Sequence, residues 1–267
     1  MINIKKILEE TFKEFFVHWN NVPMEGIVKH NIGLKAFFDN PQKSFYDYQH
    51  LRYEIILKKI LSLSKQHNIK TIADFGSFSG IMAVALSKLG FKVIVVEKFD
   101  LYYGALDPIK KFLLNNNCEI IDYDSVVDTV TLPYSVDLSL SMALVEHLIG
   151  SPKNYFNNIK NNTSKLVLLE IPNIASFYKR IKFLFKGEGV FDDYDNIFNS
   201  HYPYFGHNHE YNLKELEYLV NYLGQKIEVG GFSYINAITL KLKLYKLFTN
   251  TLPSSFQDSI YGVVKIK

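Results

Sequence analysis

The sequence has little cysteine, no strong excess of either charge and no long apolar run. Its 267 residues include a single cysteine, Cys118, which excludes an internal disulfide and leaves no cysteine cluster for zinc. The net charge of +3 is small and is not concentrated in one segment, so it does not predict a nucleic-acid partner. No apolar run approaches the roughly 20 residues that a spanning helix needs, so we expect no integral membrane segment.

The N-terminal segment also lacks a feature of secreted proteins. Residues 1–16, MINIKKILEETFKEFF, are charged throughout and have no continuous apolar core of the kind found in signal peptides. Together with the single cysteine, this favours a reducing, cytoplasmic location. With 48% hydrophobic residues, the chain can bury a sizeable core, and we expect a single domain with elaborations.

The most informative segment is 71–97, TIADFGSFSGIMAVALSKLGFKVIVVE. A short apolar run contains Asp74 and reaches Gly76, a loop of small residues extends to Gly80, and an apolar stretch of helical length follows. A second apolar run ends at Glu97. This pattern predicts a strand, a tight loop, a helix and a second strand, with an acid at the tip of each strand. Glycines let such a loop turn sharply and let its backbone N–H groups approach a ligand.

The two acids indicate what kind of ligand this unit holds. A carboxylate after the second strand can accept both hydroxyls of a ribose, so Glu97 indicates a nucleoside-containing cofactor. Dinucleotide-binding loops use the spacing G-x-G-x-x-G, which the loop from Gly76 to Gly80 lacks. Asp74 beside this loop would repel a pyrophosphate and attract an ammonium group. A ligand with a ribose at one end and an α-amino group at the other is S-adenosylmethionine.

At these residues the sequence resembles the class I methyltransferases, whose first motif is an acid followed by glycines at alternate positions. Asp74, Gly76 and Gly80 match the motif, while Phe78 stands where the middle glycine usually lies. The resemblance spans about residues 70–235 and implies methyl transfer from S-adenosylmethionine. It also implies a Rossmann-like α/β fold, with a seven-stranded, mostly parallel sheet, helices on both faces, a helical N-terminal cover and an insertion after strand five.

We expect four parts within this single domain. Residues 1–70 would form the helical cover, either passive or acting as an active-site lid, and residues 71–175 the cofactor-binding core. Residues 176–206 are rich in aromatic and charged side chains, and they predict a substrate lid or, alternatively, an ordinary surface excursion. Residues 207–267 would complete the sheet, with an antiparallel strand at the end.

Several element boundaries follow from local patterns. Helical segments are predicted over Ile4–Phe16 and Tyr46–Gln66. The fifth strand is predicted over Lys165–Ile171, ending where Pro172 cannot donate to a neighbouring strand.

The resemblance implies which residues hold the cofactor's methionine and ribose portions. Asp74, Gly76, Ser77 and Gly80 would hold the methionine and ribose portion along the loop. Glu97 would bind the ribose hydroxyls.

The adenine and the methionine carboxylate have further candidate partners. A third strand is predicted from Glu119, ending in Asp122 or Asp124. Lys98 would flank the adenine, with Asp122 accepting from its amine or Tyr123 covering its ring on the far side. Arg52 could pair with the methionine carboxylate, although an arginine at a helix start is more often simply solvated.

The segment TLPYSVDLSLSMALVEHL resembles the family's fourth motif. Asp137 would open a strand whose carboxyl end carries Ser141 and Met142, at the edge where open α/β sheets bind ligands. Glu146 and His147 follow, on a helix after the strand, where this family often carries the same pair beside the transferred methyl group. The alternative is that Glu146 caps its helix and His147 is an ordinary surface histidine.

Two more histidines, His207 and His209, precede an amphipathic helix on a loop that the resemblance places at the pocket. For the catalytic base we rank His147 first, then His209 and His207, with Glu146 orienting whichever histidine acts. His207 and His209 could bind a metal, but without a cysteine or an obvious third ligand we expect no metal.

The sequence favours O-methylation of a small polar metabolite. No N/D-P-P-Y/F motif follows the fourth strand, which argues against methylation of a nucleobase amine. The HNHEY segment and the E-I-P-N turn resemble bacterial methyltransferases of surface-glycan, capsule, sugar or phosphorylated-metabolite pathways, and we expect a monomer or homodimer. A protein-directed or lipid- or quinone-directed methyltransferase, and a catalytically silent methyltransferase-like partner protein, stay open as alternatives.

Overall fold

The structure is a computed structural model that describes residues 3–24, 27, 35–102, 104–124, 128–187, 206–234 and 240–266. The strands within these residues form one seven-stranded sheet. In chain order they are β1 (Thr71–Phe75), β2 (Lys92–Glu97), β3 (Glu119–Asp122), β4 (Val136–Met142), β5 (Thr163–Pro172), β6 (Gln225–Phe232) and β7 (Ser259–Lys265).

The strand order is β3-β2-β1-β4-β5-β7-β6, which confirms the predicted seven-stranded, mostly parallel sheet. The first five strands run parallel to one another, whereas β7 lies antiparallel between β5 and β6. The order reverses at β1, since β2 and β3 lie on one side of it and β4 on the other. In an open α/β sheet this reversal leaves a crevice at the carboxyl ends of β1 and β4, where ligands bind.

Helices cover both faces of the sheet, as predicted. The α-helices with described bounds are α1 (Ile4–Trp19), α2 (Lys35–Asp39), α3 (Tyr48–His67), α4 (Ile81–Lys88), α5 (Asp107–Asn115), α6 (Lys153–Asn162), α7 (Phe177–Lys186), α8 (Leu213–Leu223) and α9 (Leu240–Thr251). Four of them, α1, α3, α4 and α5, pack on one face, while α6 and α8 pack on the other. Successive strand residues supply the two cores in turn, because strand side chains alternate between faces: Ile72 enters one and Ala73 the other.

The helical N-terminal cover is confirmed. Asn3 caps α1 by accepting a hydrogen bond from the Lys6 amide, and the helix continues to Trp19, three residues beyond its predicted end. A short π-helical segment, Gln42–Asp47, leads into α3. The cover packs through aromatic rings, and Phe45 and Trp19 both lie against Phe78 of the glycine loop.

Two local predictions were wrong: the end of β5, and the kind of element that follows β4. Strand β5 includes Pro172, which lies opposite Ser259 of β7. Proline is tolerated there because only the last pair of the ladder loses a donor. After β4 the chain forms a 3₁₀ turn, Val145–His147, and the next helix begins only at Lys153. Glu146 and His147 therefore lie on a tight turn rather than on a helix.

The segment predicted as a lid is only partly described. Its start forms α7, and none of that helix's side chains is buried. Residues 188–205 lie outside the described residues, so the lid stays a prediction. None of the described helices is both long and apolar enough to span a bilayer.

Candidate functional site

The glycine loop follows β1 and lies in the crevice. Gly76 and Gly80 have φ of +78° and +71°, in the left-handed region that favours glycine. Phe78, between them, has φ of +43°, which is uncommon for a bulky residue. Its ring packs against Trp19 and Phe45 at centroid distances of 6.1 and 6.4 Å. Aromatic packing against the N-terminal cover thus accompanies a backbone conformation at Phe78 that a glycine would adopt more readily.

Asp74 lies beneath this loop and is 3% exposed. Its Oδ2 atom has no hydrogen-bond partner among the described residues. Burial raises the pKa of this carboxyl to about 7, the nearby Ser77 hydroxyl opposes the shift, and the Glu97 carboxylate adds to it. A buried polar atom without a partner typically costs about 1–3 kcal/mol, so such an atom calls for an explanation such as a ligand.

Glu97 ends β2 at the mouth of the same crevice and is 9% exposed. Its two carboxylate oxygens accept hydrogen bonds from the amides of Phe78, at 2.8 Å, and Lys98, at 3.0 Å. Burial raises its carboxyl pKa, while these two amide donors oppose the shift. Because a carboxylate has about four lone-pair sites, two fixed donors leave room for two ribose hydroxyls.

The predicted adenine contacts lie at the carboxyl ends of β2 and β3. Lys98 Nζ is 2.6 Å from Asp124 Oδ2. Both oxygens of Asp122 already have partners, the Phe99 amide at 3.0 Å and Lys110 Nζ at 2.7 Å. Tyr123 follows with 42% of its surface exposed. The structure brings these residues to one edge, where the Tyr123 ring is the surface most open to a planar base.

Arg52 is buried in an ion pair rather than solvated at a helix end. Its Nε atom lies 2.9 and 3.0 Å from the two carboxylate oxygens of Glu170, and its Nη2 atom contacts the same carboxylate. Arg52 is 5% exposed and Glu170 is fully buried. Ser259 also donates to Glu170. Sequence analysis missed this partner, which lies 118 residues away at the end of β5.

Ser141 and Met142 at the end of β4 point to opposite faces of the sheet. The Ser141 hydroxyl is fully buried and accepts a 2.6 Å hydrogen bond from Tyr155 of α6. Met142 packs, partly buried, against the core that contains α3 and α4. Ser141 therefore ties the end of β4 to α6 on one face of the sheet. Met142 lies on the other face, the one that packs against α4.

Beyond β4, the side chains of Glu146, His147 and His207 converge. One potential ligand atom from each lies within 4.8 Å of the others. Glu146 is 1% exposed, and neither of its carboxylate oxygens has a hydrogen-bond partner among the residues described. Burial raises its carboxyl pKa to about 7, against the opposing effects of the residue's own backbone amide and of the His207 and Arg52 charges.

Hydrogen bonds hold the loop that carries His207 against the turn that carries Glu146. The backbone amides of Asn208 and His209 donate to the Glu146 carbonyl at 2.7 and 3.2 Å. The Asn208 side chain donates to the His147 carbonyl at 2.9 Å. The rings of His147 and His207 meet edge to face at 4.8 Å. Two loops, 60 residues apart in sequence, thus form one wall of the crevice.

His209 does not join this group. Its Nε2 atom lies 3.4 Å from Glu215 Oε1, and its ring packs on Tyr211 at 4.4 Å. It borders a separate cavity of about 300 Å³ lined by Leu148, Gly150, Pro152, Asn208, His209 and Tyr211. No local signal in the sequence predicts this separation, because side chains two residues apart on an extended segment face the same way.

Comparison with known proteins gives a fold but no sequence relative. No family model matches the chain, and no curated protein matches it by sequence. A SAM-dependent methyltransferase from Archaeoglobus fulgidus is similar in structure, with a TM-score of 0.54, 15% identity and coverage of 86% of this chain and 99% of that one.

Two other solved structures are similar over most of the chain. Magnesium protoporphyrin IX methyltransferase from Synechocystis PCC 6803, with bound S-adenosylhomocysteine, has a TM-score of 0.54 and 12% identity, covering 88% of this chain and 98% of that one. A plantazolicin methyltransferase, in complex with a substrate analogue and S-adenosylhomocysteine, has a TM-score of 0.55 and 15% identity, covering 97% and 99%. This chain has the fold of the class I methyltransferases.

Proposed function

We propose that the protein transfers a methyl group from S-adenosylmethionine to an oxygen atom of a small polar acceptor. The observation that carries the proposal is the pair of buried acids at the tips of β1 and β2. Asp74 has an unpartnered oxygen beneath the glycine loop, and Glu97 is fixed at the loop's mouth by two amides. Their chemistry suits the two ends of this cofactor, an ammonium group and a ribose.

The residues around the two acids fit the rest of the cofactor. Gly76, Ser77 and Gly80 would cradle the methionine and ribose portion. The adenine would lie near Lys98, with Asp122 or Tyr123 beyond it. Met142 and Ser141 end β4 and would border the methionine portion. Arg52, which is already paired with Glu170, is the proposed partner of its carboxylate. When bound, the cofactor supplies an electrophilic methyl group on a positively charged sulfur.

The acceptor would bind against the wall formed by Glu146, His147 and His207. A hydroxyl acceptor must lose its proton as its oxygen attacks, and a positioned base contributes about 10²–10⁴-fold to such a step. His147 is the first candidate for that base, with Glu146 orienting the imidazole that acts. Of the other two candidates, His207 shares this wall, whereas His209, ranked second from the sequence, lies outside it. Holding both reactants in one crevice would supply much of the remaining acceleration.

The small size of the acceptor has two supports. The cavity beside His209 adjoins this wall through Asn208, which bonds to the His147 carbonyl, and its volume of about 300 Å³ suits a sugar-sized group. Two of the structurally similar methyltransferases carry names that refer to small molecules, magnesium protoporphyrin IX and plantazolicin. We infer a sugar, a nucleotide-linked or a phosphorylated intermediate, of the kind used in bacterial surface-glycan or capsule synthesis.

Isothermal titration calorimetry tests the cofactor assignment. We expect wild-type protein to bind S-adenosylmethionine and S-adenosylhomocysteine, and not NADH, with weaker binding in Asp74→Asn. Lack of binding to both adenosyl ligands would overturn the proposal. A panel of sugar, sugar-nucleotide and sugar-phosphate acceptors, assayed for S-adenosylhomocysteine release, then tests turnover. Binding without turnover on any acceptor would favour the catalytically silent partner protein.

A further inference from the structure

We propose that Glu146, His147 and His207 bind a divalent transition-metal ion. Sequence analysis predicted no metal because it paired His207 with His209 and found no third ligand. The structure supplies that third ligand from the turn after β4. Ligand atoms of the three side chains lie within 4.8 Å of one another, so small side-chain movements would bring all three to the roughly 2.0–2.2 Å at which one ion is bound.

The strongest support is the state of the Glu146 carboxylate. It is 1% exposed, and both oxygens lack a hydrogen-bond partner among the described residues. His147 Nε2 lies 3.9 Å from Oε1, which is beyond hydrogen-bond distance. Buried carboxylates are normally paired, hydrogen-bonded or bound to a metal, and a cation between Glu146 and the two imidazoles would satisfy both oxygens.

His207 is oriented as metal-binding histidines usually are. Its Nδ1 atom lies 2.7 Å from Glu210 Oε1, and the second oxygen of Glu210 lies 3.6 Å from Lys179 Nζ. Ligating histidines generally donate their other ring nitrogen to a carboxylate or carbonyl, which fixes the ring and raises its basicity. With Nδ1 held by Glu210, Nε2 is the nitrogen left for an ion.

The charges around the site are compatible with a cation. Glu146 and Glu210 bring two carboxylates to the cluster and its immediate support. Lys179 pairs with Glu210, and the charge of the nearby Arg52 is balanced by the buried Glu170. Lys179 and Arg52 thus each pair directly with another acid, and the Arg52 and His207 charges act on Glu146 only from beyond hydrogen-bond distance.

The donor set indicates the class of ion. Two imidazoles and one carboxylate suit zinc, manganese, iron, cobalt or nickel, whereas calcium and magnesium prefer oxygen ligands only. Three protein ligands also leave at least one coordination position open, as in catalytic metal sites. If the proposed methyl transfer is correct, an acceptor oxygen could take that position and have its pKa lowered there.

Cobalt is the probe that tests the site, because bound Co²⁺ reports its coordination by visible absorption. We expect apo-protein titrated with CoCl₂ to bind one ion and to develop these bands. Glu146→Gln and His207→Asn should each lose more affinity than the about 10–100-fold typical of losing an outer partner. The loss of cobalt affinity in Glu210→Gln should fall within this roughly 10–100-fold range. His209→Asn, two residues from His207 but outside the cluster, should bind cobalt as the wild type does.

Several outcomes would overturn the site. One is that the wild type does not bind cobalt. Another is that Glu146→Gln and His207→Asn keep the wild-type affinity for cobalt. Should either variant fail to fold by circular dichroism, X-ray absorption of the wild-type cobalt complex decides: fewer than two imidazole ligands contradicts the assignment. Binding of S-adenosylhomocysteine is measured separately, so failure of the metal site and failure of the proposed methyl transfer are distinguishable.

Discussion

Asp74→Asn should remove a pH dependence of cofactor binding that the wild type shows below neutral pH. Burial raises the pKa of Asp74 to about 7 in the free protein, and the ammonium group of a bound cofactor would lower it again. Affinity for S-adenosylhomocysteine should therefore be highest above pH 7. It should fall up to about tenfold for each pH unit below that value, as long as the bound-state pKa lies lower still.

Calorimetry between pH 5.5 and 7.5 measures this slope, below the range in which an α-amino group itself loses its proton. The ionisable groups facing Asp74 include Glu97, Tyr53, Cys118 and Tyr155. The pKa values of the tyrosines and the thiol are raised and stay above this range, so only Glu97 competes. Glu97→Gln is therefore the matched control and should keep the slope. A flat wild-type profile, or an unchanged slope in Asp74→Asn, would refute the reasoning.

The same carboxyl should affect the stability of the cofactor-free protein in the opposite direction. Its folded pKa, about 7, is higher than the ordinary value of 3.8. The contribution of Asp74 to the free energy of unfolding is therefore greatest below pH 3.8, and it is lost as the pH rises to about 7. The difference between the folded and the ordinary pKa of Asp74 corresponds to at most about 4 kcal/mol of unfolding free energy. Above pH 7, Asp74→Asn should unfold at higher denaturant concentration than the wild type. An unchanged or lower midpoint would contradict this.

Four further changes should have separable effects. Glu97→Ala should weaken S-adenosylhomocysteine binding by about 1–3 kcal/mol in calorimetry, from the loss of charged hydrogen bonds. Glu170→Gln should lower the free energy of unfolding by about 3–5 kcal/mol, because it leaves the buried Arg52 unpaired. Glu228 forms a partly exposed ion pair with Lys59 at 2.8 Å, so Glu228→Gln should lower that free energy by about 1 kcal/mol or less, and equal effects of the two changes would contradict this. His147→Asn should reduce turnover at least about 10²-fold with unchanged S-adenosylhomocysteine affinity; near-normal turnover would exclude it as the base.

Much of the fold could be predicted because the informative patterns are local. Buried parallel strands are apolar on both faces, so β1 and β2 stand out as continuous apolar runs, and their terminal acids mark the ligand edge. The antiparallel position of β7 came from the resemblance, since no local pattern encodes which neighbour a strand pairs with. The end of β5 was misplaced because Pro172 removes only one donor at the last pair of the ladder.

The parts of the site that could not be predicted depend on contacts between distant segments. The Arg52–Glu170 pair and the convergence of His207 on Glu146 each require the folded sheet to bring loops together. The role of Phe78 is similar, because only packing against the N-terminal cover shows how an aromatic replaces the middle glycine. The separation of His207 from His209 likewise had no local signal, because residues two apart on an extended segment share a face.

A crystal structure of the protein with S-adenosylhomocysteine tests the central claim most directly. The account predicts the ligand in the crevice at the carboxyl ends of β1 and β2. Its ammonium group should lie within hydrogen-bond distance of Asp74 Oδ2, and both ribose hydroxyls should bind Glu97. Ligand bound elsewhere, or bound in the crevice with its ribose away from Glu97 and its ammonium group away from Asp74, would contradict the account.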